Sequence, residues 1–394
     1  MKKTILFTLA LLPAITSAAE SVFDATVSSI ISTNEELKAR HKRYIADIET
    51  EKAENMLQGP EAEFDYKFGP SGVKNRWGVS VSQGFDWPGL YTARRKAARY
   101  NADAFRQLYN AARTEITLQT RTLLLDYVKA RRNAALLTQA EKNLRTFAEN
   151  LEKSYEHESA TILMIKKSRR ELFSLVRRRA EAEAEVVRIA ENIKALGDGS
   201  QNLDAVDSYP EMPFYSLEQY RAILTANDPA MAAYTSLINA SNAAVSVSKA
   251  SRMPSFSLGF AHDFEDGNHF NGFSIGISLP AWGRNHSKHA AKAAALAAVS
   301  EKENYAQGID AGLAADWTEA SKLAEQLEPV AEEFADDNYL ELLAKSFYGG
   351  QMSMFEYLRE MNEFIDFQVS LNDLQHRYCT VLARLNRFNT PVSE

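Results

Sequence analysis

Val81–Gly89, with the sequence VSQGFDWPG, joins two segments of very different pattern. Before Trp87, apolar and polar residues alternate with a period of two, which indicates a β-strand. After it, Pro88 suits the first turn of a helix, and the next proline in the chain is Pro210. A helix from Pro88 to Ser154 would be roughly 100 Å long. Because an ordinary compact domain has no room for such a helix, this junction predicts a fold of very long helices with a small sheet.

The same plan occurs twice in the chain, which indicates an internal duplication. Four pairs of landmarks recur in order at a near-constant offset: Asn34 and Asn227, Pro60 and Pro254, Trp87 and Trp282, and Ser154 and Ser346. Each repeat is therefore predicted to contain a helix, two strands, a very long helix and a last helix. The first repeat covers 20–210, with strands in 60–87, the long helix at 88–154 and the last helix at 160–196. The second covers 211–394, with strands in 254–282, the long helix at 284–346 and the last helix at 352–387.

The predicted strands have one apolar and one polar face. In the first strand, for example, Phe64 and Tyr66 alternate with Glu63 and Asp65. Each strand could run for about 9–12 residues, the length that crosses an outer membrane when the strand is tilted. The apolar face would then meet lipid and the polar face would line water. An amphipathic sheet packed on a soluble core would alternate in the same way, so the pattern leaves both interpretations open.

The helices carry the heptad stripes of coiled coils. In the helix after Ser159 the stripe contains Leu172, Leu175, Val186 and Ile189, and Arg179 is its only polar member. In the second repeat, Pro329 is expected to kink the long helix or to start a new segment.

The composition is that of a folded protein, with 45% hydrophobic and 25% charged residues, and the net charge of −7 argues against a nucleic-acid partner. Residues 1–19 are predicted to be an export signal, and no later segment is apolar enough for a membrane helix. Phosphate-binding loops, zinc-protease motifs and cysteine–histidine nucleophile pairs are absent from the sequence. The single cysteine, Cys379, is interpreted as a packed thiol. We therefore expect no enzymatic activity and no cofactor.

Three motifs together resemble the TolC-like outer-membrane efflux protein family. Val81–Gly89 and Ile277–Asn285 (ISLPAWGRN) resemble its strand-to-helix junctions, and Gly350–Leu358 (GQMSMFEYL) resembles its helix-tip motif. The resemblance implies an α+β fold in which long antiparallel coiled-coil helices form an α-barrel. It also implies a homotrimer in which each chain contributes four transmembrane strands to one shared twelve-stranded β-barrel.

The function that the resemblance implies is that of a passive exit duct in a tripartite efflux system, for small solutes such as drugs or metal cations. Such a subunit lies in the outer membrane of a Gram-negative-type cell and has a large periplasmic portion. Its partners would be outer-membrane lipid, a periplasmic adaptor (membrane fusion protein) and an inner-membrane pump of the RND type. Two alternatives remain: the outer-membrane channel of a type I protein secretion system, and a soluble periplasmic coiled-coil adaptor.

The resemblance also places a pore tip on the second-repeat hairpin. The expected pore residues are Glu356, Arg359 and Glu360, and Asp366 is a further candidate. Three copies of Glu356 around an axis would attract cations, and Arg359 would pair with Glu356 or with a neighbouring chain. The alternative for Glu356 is an ordinary solvated helix face. The residues expected to contact the adaptor are Tyr155, Ser159, Gly349, Gly350 and Ser353.

His286 and His289 are the candidate metal ligands, because their spacing can place them on one helix face, with His262 and His269 nearby in sequence. Imidazoles at this spacing do not by themselves define a site, so no metal is assigned. Surface histidines near the barrel are the alternative interpretation.

Overall fold

The computed structural model describes residues 22–156, 160–279, 284–333 and 339–389, without the side chains of 284, 285 and 331–333. The predicted export signal therefore lies outside the described residues. The helices are α1 Val22–Thr33, α2 Glu35–Glu54, α3 Pro88–Glu156, α4 Ile162–Leu196, α5 Leu217–Asn227, α6 Pro229–Ala250, α7 Arg284–Glu333, α8 Tyr339–Tyr348 and α9 Met354–Leu385. The strands are β1 Glu61–Lys67, β2 Arg76–Phe85, β3 Ser255–Glu265 and β4 Asn268–Ser278.

The order of these elements repeats, as the duplicated landmarks predict. The series α1, α2, β1, β2, α3, α4 is matched by α5, α6, β3, β4, α7 with α8, and α9. Two helices, α1 and α5, are additions to the predicted plan, one at the start of each repeat. The segment predicted as one helix over 284–346 is described as two helices, on either side of residues 334–338.

The chain divides into two compact units. Of the described residues, the first comprises 22–34, 120–156, 160–212, 330–333 and 339–380, and the second comprises 35–119, 213–279, 284–329 and 381–389. In the first unit, α3 and α4 run antiparallel, because ion pairs join Glu152 to Arg169 at 2.7 Å and Glu141 to Arg179 at 2.5 Å. The later residue on α4, Arg179, pairs with the earlier residue on α3, Glu141, as expected for an antiparallel hairpin.

Arg179, the polar exception in the heptad stripe of α4, has a partner inside the hairpin. Its guanidinium binds the Glu141 carboxylate, whose side chain is only 10% exposed, and also Glu183 at 2.7 Å. Arg145 donates a hydrogen bond to the other carboxylate oxygen of Glu141 at 2.6 Å. The Arg145 hydrogen bond, with the Arg179 charge, holds the pKa of Glu141 below its usual range. The stripe therefore tolerates Arg179 because α3 supplies a carboxylate opposite it.

The four strands form one antiparallel sheet in the second unit, in the order β1-β2-β3-β4. β3 and β4 are joined by the two residues Asp266 and Gly267, which have φ angles of 50° and 85°. This is the chemistry of a tight hairpin turn. β1 has only seven residues, shorter than predicted, because its ladder ends at Lys67; beyond it, the Gly69 N–H donates to the side chain of Asn75.

The helices of the second unit are held by specific ion pairs. Arg384 of α9 binds Asp316 of α7 at 2.7 Å, and Arg221 of α5 binds Asp310 of α7 with two nitrogens. The helix α7 continues through Pro329 to Glu333. Of the two predicted effects of this proline, a kink or the start of a new segment, the second is therefore wrong. Among the described residues, no helix combines the length and the apolar character that crossing a membrane requires.

Candidate functional site

The turn between α8 and α9 is closed by a hydrogen-bonded C-terminal cap. The N–H of Gln351 donates to the carbonyl of Ser346 at 2.9 Å, and the N–H of Gly350 donates to the carbonyl of Phe347 at 3.0 Å. This pair of bonds is the Schellman motif, which needs a left-handed residue after the helix. Gly350 supplies it, with φ at 71°. The glycine in the quoted tip motif is therefore explained by backbone geometry.

Glu356 lies in the first turn of α9 and forms a capping box with Ser353. Its carboxylate accepts from the N–H of Ser353 at 2.7 Å, and its own N–H donates to the Ser353 hydroxyl at 3.3 Å. The backbone hydrogen bond from Ser353 is the main cause that lowers the pKa of Glu356, so the carboxylate is charged at neutral pH. Glu356 is exposed, and its charge lies at the first turn of α9 beside the hairpin.

Arg359 does not pair with Glu356 within the chain. Its guanidinium bonds to Glu360 at 3.0 Å and approaches Glu363 at 3.7 Å. The predicted pairing inside one chain is therefore wrong. The reason is that the Glu356 carboxylate is turned back towards the Ser353 backbone, whereas Glu360 and Glu363 lie on the same side as Arg359. Glu360 also accepts a long hydrogen bond, 3.5 Å, from the Tyr339 hydroxyl. Asp366 bonds to Arg178 of α4 at 2.8 Å.

An aromatic cluster fixes the hairpin against the end of α3. The ring of Phe147 stacks on Tyr357 at 4.7 Å between centroids and meets Phe347 edge-on at 4.9 Å. Burial raises the pKa of Tyr357 to about 12, so its hydroxyl stays neutral. On the surface, Asn150 donates to the Tyr348 hydroxyl at 3.0 Å. Beneath the rings lies a core of buried side chains: Leu137, Leu144, Leu151, Ile165, Leu175, Leu343, Met354, Leu358, Met361 and Ile365.

The first-repeat tip lies between α3 and α4. Tyr155 is exposed near the end of α3, and Ser159 is outside the described residues. Thr161 caps α4, because its hydroxyl accepts from the N–H of Met164 at 3.3 Å. Of the residues predicted to contact an adaptor, Tyr155, Gly349, Gly350 and Ser353 all lie at helix ends of the first unit, and all are exposed.

Replacing Gly350 by alanine is expected to lower the free energy of unfolding by about 1–2 kcal/mol, because a Cβ is strained in the left-handed region. The matched control is Gly308→Ala in the interior of α7, where a Cβ meets open space. Alanine is expected to stabilise that helix by about 0.5–1 kcal/mol. Denaturant unfolding followed by circular dichroism measures both, and equal effects of the two substitutions would contradict the capping role of Gly350.

The sheet has two chemically distinct faces, which follow from its register. One face is apolar apart from Gln83, His262, His269 and Asn271. Much of it is uncovered in the single chain: Phe273 is 89% exposed and Ile275 is 76% exposed. The apolar members of this face are Ala62, Phe64, Tyr66, Trp77, Val79, Val81, Phe85, Phe256, Leu258, Phe260, Phe264, Phe273, Ile275 and Ile277.

The opposite face is polar, and more than half of its residues are glycine, serine or alanine; Phe270 is its one large apolar residue. A Cβ on Gly78 would lie 2.5 Å from Asp263 Oδ1 and 2.8 Å from Asp65 Oδ2. A Cβ on Gly259 would lie 2.6 Å from the Ser274 hydroxyl. At both positions a Cβ fits only if one of these neighbouring side chains moves, so glycine leaves the present arrangement undisturbed.

Aromatic rings and two histidines gather on the apolar face, beside the β3–β4 turn. The ring of Trp77 stacks on Phe264 at 5.8 Å between centroids. His262 Nε2 lies 3.2 Å from His269 Nδ1, and His262 Nδ1 lies 2.7 Å from Asn271 Oδ1. The pairing of β3 with β4 brings His262 and His269 together, whereas the spacing in the sequence had indicated His286 and His289 as the candidate ligands. Those two histidines are exposed on α7, and within the described part of the chain no three His, Cys, Asp or Glu side chains are grouped to hold a metal.

No protein-family model matches the sequence, and no curated protein matches it. Solved structures do match. The outer membrane protein VceC from Vibrio cholerae is 17% identical, with a TM-score of 0.74 over 94% of this chain and 97% of its own. The Campylobacter jejuni CmeC outer membrane channel is 17% identical, with a TM-score of 0.73 over 93% of this chain and 85% of its own. The chain has the TolC-like fold. The Neisseria gonorrhoeae MtrE outer membrane channel, solved in an open state, agrees at 14% identity, with a TM-score of 0.72 over 93% of this chain and 88% of its own.

The TolC-like fold confirms the fold class predicted from the three sequence motifs. The solved structures that share it and are named above are outer membrane proteins and channels, not enzymes. Within this fold, the hairpin from α8 to α9 and the two-faced sheet are the features of the chain with chemistry suited to a function. The former carries an ordered carboxylate, and the latter carries an uncovered apolar surface.

Proposed function

We propose that the chain is the outer-membrane channel subunit of a tripartite efflux system, a passive exit duct for small solutes such as drugs or metal cations. The observation that carries the proposal is the sheet, whose apolar face is uncovered and whose two outer strands have no partner among the described residues. A contiguous apolar surface of this kind marks a site of contact with lipid or protein. The TolC-like fold supports lipid as the contact.

The direction of the strands supports closure of the sheet by further copies of the chain. β1 and β4 are the edges, and an even number of antiparallel strands makes them run in opposite directions. The β4 of one copy can therefore pair antiparallel with the β1 of the next copy, and a closed ring has no open edge. Three copies give a barrel of twelve strands, above the eight that such barrels need. A homotrimer is thus the assembly that we propose.

The polar face, with its small residues, suits the inside of this barrel. Closely packed glycine and serine leave little bulk on the polar side, as a narrow and water-filled interior requires. Ion pairs on the same face, such as Arg76 with Glu265 at 3.2 Å, remain satisfied in water. The apolar face with Ile275 and Phe273 would then meet the outer-membrane lipid.

In this proposal the helical hairpins form the periplasmic end of the duct. Glu356 is held at the first turn of α9 by its capping box, so three copies would present an ordered ring of carboxylates. Arg359 and Glu360 form their own pair beside it. The exposed residues Tyr155, Gly349, Gly350 and Ser353, together with Ser159, would contact a periplasmic adaptor, which joins the duct to an inner-membrane pump of the RND type.

A protein-secretion channel would use the same subunit fold, since the pump and not the duct selects the cargo. The soluble adaptor alternative has less support. A soluble protein would be expected to cover Phe273 and Ile275, which are the most exposed large apolar residues of the sheet. Efflux of small solutes therefore remains the proposed function.

Replacing Glu356 by glutamine tests the channel and its gate together. Glutamine can complete a capping box, so the hairpin is expected to fold as before while the charge is lost. In planar bilayers, we expect the purified protein to form channels whose preference for cations over anions falls in the variant. The control is Glu191→Gln, an exposed carboxylate near the other end of α4 that pairs with Lys194. Unchanged selectivity and conductance would remove Glu356 from the gate, and the absence of any channel in the wild-type protein would contradict the proposed function.

A further inference from the structure

The two histidines on the apolar face of the sheet face each other through ring nitrogens. His262 is on β3, and His269 is on β4, one pleat closer to the turn at Asp266–Gly267. The distance from His262 Nε2 to His269 Nδ1 is 3.2 Å, and the ring centroids are 5.3 Å apart. The antiparallel register therefore brings two imidazole nitrogens close together, which the spacing in the sequence alone does not indicate.

The hydrogen bond from Asn271 orients one of these imidazoles. The Asn271 amide oxygen is an acceptor, so His262 Nδ1 carries the proton that is donated over 2.7 Å. Its Nε2 then holds a lone pair that faces His269 Nδ1. Metal-binding histidines in proteins commonly have this arrangement, in which one nitrogen binds the metal and the other donates to an oxygen that fixes the tautomer.

The distance between the two facing nitrogens fits a shared metal ion. Metal–imidazole bonds are about 2.0–2.1 Å long, so two ligands at an angle between square and tetrahedral lie about 2.9–3.4 Å apart. The observed 3.2 Å falls inside this range. The His269 ring need only change its tautomer, moving its proton to Nε2, to offer the second lone pair. His262 is half-buried and His269 exposed. Because the pair lies beside the β3–β4 turn, at the end of the face that is proposed to meet lipid, an ion can reach it from the water beyond that end, and water can complete its coordination.

We infer that His262 and His269 form a two-histidine site for a divalent transition-metal ion, with Asn271 as the residue that orients it. Imidazole ligands suit copper, nickel and zinc, and among these divalent ions copper binds such sites most tightly. The site lies at the turn end of the apolar face, beside the Trp77 and Phe264 rings. Its ligands are not the carboxylates of the α8–α9 hairpin. The site goes beyond the proposed function, which assigns no metal ligand to the protein, and the β3–β4 hairpin of one chain supplies both histidines.

Trp77 gives the site its own optical signal. Its ring lies 5.7 Å from that of His262, close enough for a bound Cu²⁺ ion to quench its fluorescence. We would titrate the untagged, full-length protein in detergent with CuCl₂ alone, following fluorescence and, in parallel, the heat of binding. The expected result is one saturable site per chain, with quenching that is largely lost in Trp77→Phe. The electron paramagnetic resonance spectrum of the bound Cu²⁺ is expected to show coupling to two imidazole nitrogens.

Substitutions at the three residues are expected to change affinity in different directions. His262→Gln and His269→Gln should each weaken Cu²⁺ binding at least about tenfold, and Asn271→Ala about tenfold, as loss of an orienting partner does. Asn271→Asp keeps the acceptor and adds charge, so it should preserve or strengthen binding. The matched control is the double variant His286→Gln with His289→Gln, which removes two exposed histidines outside the sheet and should bind as the wild type does.

Three results would overturn the site. They are no saturable binding by the wild-type protein, wild-type affinity in both His262→Gln and His269→Gln, and loss of binding in the His286/His289 control. Circular dichroism and particle mass of each variant show whether it is folded. The outcome is also distinguishable from that of the channel proposal. A protein that forms no channels would still bind Cu²⁺ through this hairpin, and a channel that binds no Cu²⁺ would leave the proposed function intact.

Discussion

Arginine in place of Ile275 is expected to prevent most of the protein from assembling in the outer membrane. Ile275 is near the middle of β4, on the apolar face, and 76% exposed in the single chain. A charged side chain at the middle of a lipid-facing strand costs about 2–4 kcal/mol. In a trimer that cost is incurred three times, which is comparable with the whole stability of an ordinary domain. Fractionation of cells followed by immunoblotting measures how much of the protein reaches the outer membrane.

The neighbouring residue provides the matched control. Ser274 is adjacent on the same strand, but its side chain points to the polar face, which is expected to line water. Ser274→Arg should therefore assemble nearly as well as the wild type, and change conductance rather than insertion. Equal assembly of Ile275→Arg and the wild type would contradict lipid contact on this face. Equal loss in both variants would show that the two faces are not distinguished.

The second large effect concerns the core beneath the α8–α9 hairpin. Ile365 is completely buried among the side chains that hold α9 against α3 and α4. Replacing it by alanine removes apolar burial and leaves a cavity, so the free energy of unfolding should fall by about 2–5 kcal/mol. Denaturant unfolding of the detergent-solubilised protein, followed by circular dichroism, measures this loss. Channel activity at low temperature should change as well, because the same core positions Glu356.

Ile162 is the control for this prediction. It is the same residue type at the start of α4 in the same unit, but it is 52% exposed. Ile162→Ala is expected to change the free energy of unfolding by less than about 0.5 kcal/mol. If Ile365→Ala proved as mild as Ile162→Ala, the packing of the hairpin core described above would be wrong.

The fold was predictable from the sequence because its signals are long and repeated. Residues alternate before Trp87, proline is absent from 89 to 209, and the landmarks recur in the same order in the second half. These signals predicted the order of the strands and of the long helices that the structure shows. Such patterns depend only on local periodicity, which a single sequence contains in full. The three quoted motifs then led to the TolC-like fold that the solved structures confirm.

Two helices were missed although each had a local signal. In α1, the buried residues Phe23, Val27, Ile30 and Ile31 follow helical spacing, but they come directly after the export signal and were left without an element. In α5, Ser216 and Gln219 form a capping box, a pattern that can be read from sequence. Both helices are short, with 12 and 11 residues, and helices of this length are only marginally stable alone, so their sequence signal is weaker than that of the long helices.

The candidate site was less predictable, because side-chain partners depend on tertiary geometry. The sequence placed Glu356 and Arg359 one turn apart, but only the structure shows that the Ser353 backbone holds the carboxylate while Arg359 turns to Glu360. Likewise, Arg179 is the one polar residue of its stripe, and only the structure shows that Glu141 lies opposite it. Such pairings join residues that are far apart in the sequence or compete for the same partner, and periodicity does not encode the choice.

Several copies of this chain are proposed to share one membrane barrel, and the mass of the intact particle tests this assembly most directly. Washed outer membranes would be extracted with detergent, and the purified particle would be measured by native mass spectrometry. We expect a detergent-dependent particle of three chains, confined to the outer-membrane fraction. A monomer or dimer recovered from the periplasm without detergent would contradict the shared barrel, and would leave the soluble coiled-coil adaptor as the better interpretation.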